Sequence, residues 1–240
     1  MDKIDRLAHE FENEIGPFSA DNFPEARLVE QFGEEQRAEY LSAFCTWDYN
    51  RRVDQLVKNM IELAEIDDGY STDYFYPPDV VGVPEDEMQA VFQSIGFRYG
   101  SQDAAIWQDN CTIITNKFGG SWSNLHEASG YHAPTLVKLL RDHDFKYIKG
   151  KKLAPFYARV VNDYVTELDD VWKLPIPVDT HIRRLSRDLF DDEEMGDDKI
   201  RTRWREIGEE RSVSPAMVDG ALWQIGYSWD DWGENYWEGL

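Results

Sequence analysis

The sequence predicts an all-α protein. Apolar residues recur at the three- and four-residue spacing of amphipathic helices along most of the 240 residues. No run alternates apolar and polar residues for long enough to indicate a strand. With 42% hydrophobic and 14% aromatic residues, the chain has ample material for a packed core. This composition excludes a disordered or collagen-like protein.

Each predicted helix follows from its own apolar spacing and its end signals. The segments expected to be helical are residues 4–15, 40–44, 53–64, 85–95, 101–117, 133–141, 152–165 and 180–185, and a last helix begins at Pro215. Gly96 and Gly119-Gly120 end two of them, Ser214-Pro215 begins the last one, and Asp179 is a favoured N-cap. Pro77-Pro78 is expected to be a loop. The aromatic tail is expected to pack back onto the helices.

Acidic residues outnumber basic ones along the whole chain. The sequence has 25 Lys and Arg against 47 Asp and Glu, a formal net charge of −22, and its basic residues are ten Lys and fifteen Arg. This composition is typical of a halophilic protein that stays soluble in molar salt, where the Debye length falls to roughly 3 Å. The alternative is an acidic interaction face in a protein adapted to ordinary salt. On the halophilic interpretation, local departures from the acidic background are more informative than the net charge.

One segment departs from that background. Residues 138–152 carry six basic residues and two acidic ones. A basic helix C-terminus followed by a loop would explain two or three of these charges, but not six. The six are Lys138, Arg141, Lys146, Lys149, Lys151 and Lys152.

The two cysteines, Cys45 and Cys111, are isolated from each other. Two are too few for a zinc site, an iron–sulfur cluster or a disulfide framework, so we expect buried thiols and neither a metal nor a cofactor. No stretch approaches 18 apolar residues, and the first residues lack the apolar run of a secretory signal. We expect a cytoplasmic protein without a membrane partner, and nothing demands more than a monomer.

Two short segments carry a resemblance to a known family. They are Gly150-Lys151-Lys152-Leu153-Ala154 and, downstream, Val178-Asp179-Thr180-His181-Ile182. The chain resembles the helix–hairpin–helix DNA glycosylase superfamily, whose signature is a glycine-containing hairpin, then Lys-Thr-Ala, and then Val-Asp-Thr-His-Val/Ile with an arginine. Weaker matches follow in the family's order and extend the resemblance over roughly residues 40–228: Leu41-Ser42-Ala43-Phe44 with Thr46 and Asp48, Ile95-Gly96-Phe97, and Phe118-Gly119-Gly120.

The hairpin departs from the family's pattern. Residues 146–150 read Lys-Tyr-Ile-Lys-Gly where the usual hairpin has Leu-Pro-Gly-Val-Gly, so only the second glycine is retained. Since hairpin glycines let backbone amides approach a phosphate closely, we expect lysines to supply that contact instead. The long interval from Lys152 to Asp179 and the Pro-Ile-Pro-Val-Asp string are similar to the archaeal 8-oxoguanine glycosylase class. The iron–sulfur cysteines of the endonuclease III and adenine-glycosylase branches are absent from the sequence.

The resemblance implies a two-lobed helix–hairpin–helix glycosylase fold. We expect a helical extension over residues 1–39, a glycosylase body over 40–228 and an aromatic, acidic tail over 229–240. The implied activity is base excision from damaged double-stranded DNA: the enzyme flips out and removes a damaged base, expected to be an oxidised purine such as 8-oxoguanine, and cleaves the strand by β-elimination.

The resemblance also implies individual roles. Lys152 would attack the sugar C1′ and form a Schiff base, with Lys151 as the competing nucleophile, and Asp179 would act as the catalytic carboxylate. The residues expected to bind DNA are Lys146, Lys149, Gly150, Lys151, His181 and Arg183, although the arginines could instead meet acidic neighbours. The base pocket or wedge is assigned to Phe44, Trp47 and Tyr49, with core aromatics as the alternative.

Two other functions stay open at this point. A monofunctional glycosylase for alkylated or deaminated bases would use Lys152 only to bind phosphate and Asp179 to activate water. A non-catalytic DNA-binding module would keep the fold alone.

Overall fold

A computed structural model describes residues 2–49, 51–66, 72–211 and 213–240. Over these residues the protein is helical and has no strand, which confirms the all-α prediction; His132 and Asp169 form an isolated β-bridge. In the same ranges, no helix is both long and apolar enough to cross a membrane. The α-helices are α1 (Lys3–Glu12), α2 (Pro24–Phe32), α3 (Arg37–Trp47), α4 (Val53–Ala64), α5 (Pro77–Gly82), α6 (Glu85–Ser94), α7 (Gly100–Lys117), α8 (Trp122–Ala128), α9 (Ala133–Asp142), α10 (Leu153–Tyr164), α11 (Thr180–Leu189), α12 (Asp197–Arg211), α13 (Pro215–Tyr227) and α14 (Glu234–Glu238).

The predicted helices are present, and the sequence pattern missed five others. Helix α4 has the bounds that its apolar spacing predicted, whereas α2, α5, α8, α12 and α14 were not predicted. The expectation of a loop at Pro77-Pro78 is wrong, because α5 begins at Pro77. The first residues of a helix have no intrahelical acceptor for their N–H groups, so proline, which has no N–H, is well tolerated there.

The chain divides into two compact units. The terminal unit consists of Met1–Phe23 and Asp170–Leu240, and the central unit is Pro24–Asp169. This division differs from the boundaries at residues 39 and 228 that were expected. Residues 1–39 are shared between the two units, and residues 229–240 belong to the terminal unit.

In the terminal unit, α1 and α11 both pack against α13. Ile182 and Leu185 of α11 join Trp204 of α12 in one apolar core. The tail packs back onto this unit as predicted: the buried Trp237 donates from Nε1 to Asp188 Oδ2 at 2.6 Å.

The central unit is built around an aromatic cluster. The ring of Trp47 lies 5.3 Å from Phe92, 5.0 Å from Phe97 and 5.3 Å from Trp107, and Trp107 stacks on Trp122 at 5.8 Å. Such pairs contribute about 0.5–1.5 kcal/mol each beyond the area that they bury. Both cysteines are buried in this unit, as predicted.

A chain of buried polar side chains crosses the same unit. His126 Nε2 lies 2.8 Å from the Tyr157 hydroxyl, which lies 3.0 Å from Ser42 Oγ. Burial lowers the pKa of His126 from 6.5 to about 4. The imidazole is therefore neutral in the folded protein at pH 7.

His126 makes the fold less stable in mild acid. Because the unfolded chain takes up a proton near pH 6.5 and the folded protein only near pH 4, stability falls as the pH drops through this window. We expect the free energy of unfolding of wild type, relative to His126→Gln, to fall by about 2 kcal/mol between pH 7 and pH 5. Urea unfolding at fixed salt measures this difference. If the free energy of unfolding of wild type and of His126→Gln depends on pH in the same way, the prediction is wrong.

Candidate nucleic-acid interface

Residues 143–152, called here the basic turn, connect α9 to α10 in the central unit. Asp144 has a left-handed φ of +57°, and the Phe145 N–H donates to Leu140 O at 3.0 Å, which closes the end of α9. Phe145 and Ile148 are fully buried. These two side chains anchor the turn to the core.

Asn110 of α7 holds the basic turn by its backbone. Its Oδ1 accepts from the Lys146 N–H at 2.7 Å, and its Nδ2 donates to Lys146 O at 3.2 Å. Asn110 is itself fully buried, and both bonds are partly buried. The backbone on either side of the lysine side chains is therefore fixed.

The single hairpin glycine lies at a tight point of the turn. The Gly150 N–H donates to Tyr147 O at 2.9 Å, and a Cβ added at Gly150 would lie 3.1 Å from that oxygen. Tyr147 has a φ of +60°, a conformation that usually favours glycine. A glycine would adopt this backbone conformation at a lower cost than the tyrosine that the sequence has here.

Asp144 engages two of the lysines that were expected to bind DNA. Its carboxylate pairs with Lys146 Nζ at 2.7 Å and also with Lys149 Nζ. Hydrogen bonds from these two ammonium groups lower the pKa of Asp144 to about 2. On α9, Lys138 pairs with Asp142 in the same way. The two carboxylates of residues 138–152 thus balance two of its six positive charges, and an excess of four remains.

Lys151 and Lys152 complete the turn just before α10. The Lys151 side chain is exposed, whereas Lys152 is half-buried at the N-cap position. Lys152 makes no side-chain capping bond to the described residues. The backbone continues into the helix through a bond of 3.0 Å from the Ala154 N–H to Gly150 O.

Asp179 begins α11 in the terminal unit, as the sequence predicts. Its Oδ1 accepts from the Ile182 N–H at 2.8 Å, and the two preceding apolar positions, Ile176 and Val178, are buried. This bond satisfies one of the N–H groups that a helix leaves without a partner. The second carboxylate oxygen takes no part in the cap.

The basic side chains after Asp179 have their own partners. Arg183 forms a two-point pair with Asp197, at 2.7 and 3.1 Å, so the structure has the acidic neighbour that was the alternative to a phosphate. Arg184 lies over the Trp229 ring, 4.0 Å from its centroid. His181 lies against Gly226, where an added Cβ would approach the His181 Cβ to 2.4 Å. Glycine therefore allows α13 to approach α11 closely.

The three aromatic side chains assigned to a wedge or pocket differ in exposure. Phe44 and Trp47 are fully buried; they are core aromatics, the alternative that the sequence left open, and the wedge assignment is wrong for both. Tyr49 is 47% exposed and stacks on Tyr147 of the basic turn, with ring centroids 4.9 Å apart. Gln102 donates to the Tyr147 hydroxyl at 2.7 Å.

Sequence reasoning missed the residues that shape the basic turn. Asp144 was visible as an acid within a basic run, but Asn110 and Gln102 lie 34 and 42 positions before it. No pattern in a single sequence connects such distant positions.

No protein-family model matches the chain, and no curated protein matches it. Within the part of the chain that the structure describes, no group of three or more His, Cys, Asp or Glu side chains is arranged to hold a metal ion.

The cap at Asp179 can be tested by stability. Asp179→Ala should lower the free energy of unfolding by about 1 kcal/mol, because the Ile182 N–H loses its acceptor. Asp179→Asn should stay close to wild type, since asparagine is an equally good N-cap. Urea unfolding at one salt concentration measures both. An asparagine variant as unstable as the alanine variant would show that charge, and not the cap, is what matters.

Proposed function

We propose that the chain is a DNA glycosylase with an associated lyase activity, which removes a damaged base from double-stranded DNA. The observation that carries the proposal is Lys152, half-buried at the start of α10 and at the end of a turn with four lysines between two helices. Lys152 follows the one retained hairpin glycine, Gly150, by two residues, and the resemblance puts the nucleophilic lysine at this point. The choice of an oxidised purine such as 8-oxoguanine rests on the resemblance alone.

In this proposal Lys152 is the nucleophile. Its neutral amine attacks C1′ of the flipped nucleotide, and the base leaves with the electron pair of the glycosidic bond. Opening of the sugar ring then gives a Schiff base between C1′ and Nζ. Loss of a proton from C2′ breaks the bond from C3′ to its phosphate oxygen, which is the β-elimination that cleaves the strand.

Asp179 supplies the carboxylate of the proposed reaction. Its cap bond from the Ile182 N–H fixes the orientation of the side chain and leaves one oxygen for chemistry. That oxygen would stabilise positive charge as it develops on the sugar, or accept a proton from the attacking amine. Neither task competes with the cap.

Tyr49 is the remaining candidate for the wedge that fills the space left by the flipped base. Its exposed ring rests on Tyr147, and Gln102 holds the Tyr147 hydroxyl. An aromatic face presented in this way can stack with a neighbouring base, a contact worth about 1–3 kcal/mol per base. The wedge would thus be supported directly by the basic turn.

Borohydride trapping tests the proposed reaction. Duplexes with 8-oxoguanine, thymine glycol, uracil, hypoxanthine or an abasic site are incubated with the protein in concentrated potassium chloride, and covalent adducts are resolved on a denaturing gel. We expect an adduct with wild type and with Lys151→Ala, and its loss with Lys152→Ala, because only Lys152 forms the Schiff base. Circular dichroism confirms that each variant is folded.

The other results have distinct meanings. Loss of the adduct only with Lys151→Ala would move the nucleophile by one residue. Base release without an adduct, abolished by Asp179→Asn, would favour the monofunctional glycosylase. Neither release nor an adduct on any duplex would contradict the proposal and leave a DNA-binding module. Location in the cytoplasm and a monomeric state stay predictions.

Removing the acid of the basic turn should strengthen DNA binding. Asp144→Asn releases Lys146 and Lys149 from their pairs, and asparagine tolerates the left-handed φ at this position. The slope of log K against log salt should steepen by up to about 0.9 for each lysine that then reaches a phosphate.

A matched variant controls for net charge. Asp142→Asn also removes one negative charge, but it releases Lys138 on α9 instead of the lysines of the turn. Fluorescence anisotropy with an undamaged duplex compares the two variants. An equal effect of both on the slope would attribute the gain to net charge and not to the basic turn.

A further inference from the structure

A cavity of about 460 Å³ opens beside the N-terminal half of α4 in the central unit. This volume falls in the range of small-ligand pockets, roughly 300–1,000 Å³. Its lining contains four basic residues, Arg51, Arg52, Lys58 and Arg98, and one acidic residue, Asp54. Such a concentration of cations is unusual in a chain with a net charge of −22.

Arg51 lies in the wall of this cavity, where buried contacts hold it, and is not a surface side chain. Its side chain is only 4% exposed, and Nη2 donates to both oxygens of the fully buried Asp103, at 2.8 and 2.9 Å. The guanidinium also lies 5.9 Å from the Phe97 ring centroid and 5.7 Å from that of Tyr99. These contacts hold the arginine in one place before any ligand arrives.

One donor of that buried arginine is left over. Arg51 Nε is buried and has no hydrogen-bond acceptor among the residues that the structure describes. An unsatisfied buried donor destabilises the fold, and more so when it is charged. A ligand with an acceptor oxygen in the cavity would remove this cost.

The start of α4 adds further donors at the same cavity. The side chain of the N-cap residue, Arg52, makes no capping hydrogen bond at this twelve-residue helix, and an α-helix leaves its first N–H groups without an intrahelical acceptor. Helix N-termini bind anions through these groups and through the helix dipole. The acidic lining residue, Asp54, has a cation of its own, since it pairs with Arg27 at 2.8 Å.

We propose that this cavity, which we call the Arg51 pocket, binds a phosphate group. A phosphate has several acceptor oxygens, so it can meet the buried guanidinium, the start of α4 and the outer cations Lys58 and Arg98 together. The group belongs either to a DNA strand or to a free phosphate. The inference goes beyond the proposed glycosylase chemistry, because neither Lys152 nor Asp179 lines the Arg51 pocket.

The test truncates the two outer cations. Lys58→Ala and Arg98→Ala remove lining charge and leave the buried pair of Arg51 and Asp103 intact. Lys117→Ala is the matched control, since this exposed lysine ends α7 and does not line the cavity. All measurements use the lowest potassium chloride concentration at which the wild type stays folded by circular dichroism.

Two titrations distinguish the sources of the phosphate. Inorganic phosphate is titrated by calorimetry, and an undamaged duplex by fluorescence anisotropy over a range of salt. If the phosphate belongs to DNA, we expect each pocket variant to make the slope of log K against log salt shallower by about 0.9. For free phosphate, we expect saturable binding that each pocket variant weakens about tenfold. Lys117→Ala should change neither.

If both pocket variants behave like Lys117→Ala in both titrations, the proposal is overturned. This result is independent of catalysis. Binding that depends on Lys58 and Arg98 would support the Arg51 pocket even if borohydride trapping failed on every lesion.

Discussion

The excess of carboxylates is the constraint on which the rest of the structure depends. With 47 acidic residues against 25 basic ones, a cation usually finds an acid within reach, as Lys146 and Lys149 do at Asp144 and Arg183 does at Asp197. Exposed pairs of this kind are worth about 0–1 kcal/mol and weaken further in molar salt. An anionic partner, such as the DNA of the proposed function, could therefore exchange with them. The net charge of −22 would not attract this partner at long range, so fixed local geometry would have to select its site.

The basic turn shows how that geometry is made without the usual glycines. A left-handed conformation costs a non-glycine residue about 1–2 kcal/mol, and both Asp144 and Tyr147 adopt it. Burial of Phe145 and Ile148 and the two bonds from Asn110 offset this cost. In the proposed function, the Cβ of Tyr147 would keep a DNA phosphate further from the backbone than a glycine would. Lysine amines, which reach further than backbone amides, would then be the donors.

The helices were more predictable than the exposure of individual side chains. The apolar spacing of residues 53–64 gave both ends of α4, but α12 has only three buried residues among fifteen, too few to stand out from its charges. In α3, ten of eleven residues are buried, so its sequence has no polar face that could separate core aromatics from exposed ones. The sequence pattern therefore did not distinguish the buried Phe44 and Trp47 from the exposed Tyr49. The count of lysines in the basic turn was visible in the sequence, whereas their pairing with Asp144 depends on a backbone conformation that was not.

Asp179 and Lys152 both take part in the proposed reaction but depend on the fold to different degrees. A carboxylate has two oxygens with about four acceptor positions, so Asp179 can cap α11 with one oxygen and keep the other for chemistry. Burial of Ile176 and Val178 leads the chain into that cap. Lys152, in contrast, makes no capping bond to the described residues, and what fixes it is the backbone of the turn. If the proposed reaction holds, loss of the carboxylate would disturb both the helix cap and the chemistry, whereas loss of the lysine amine would remove the chemistry and leave the helix start in place.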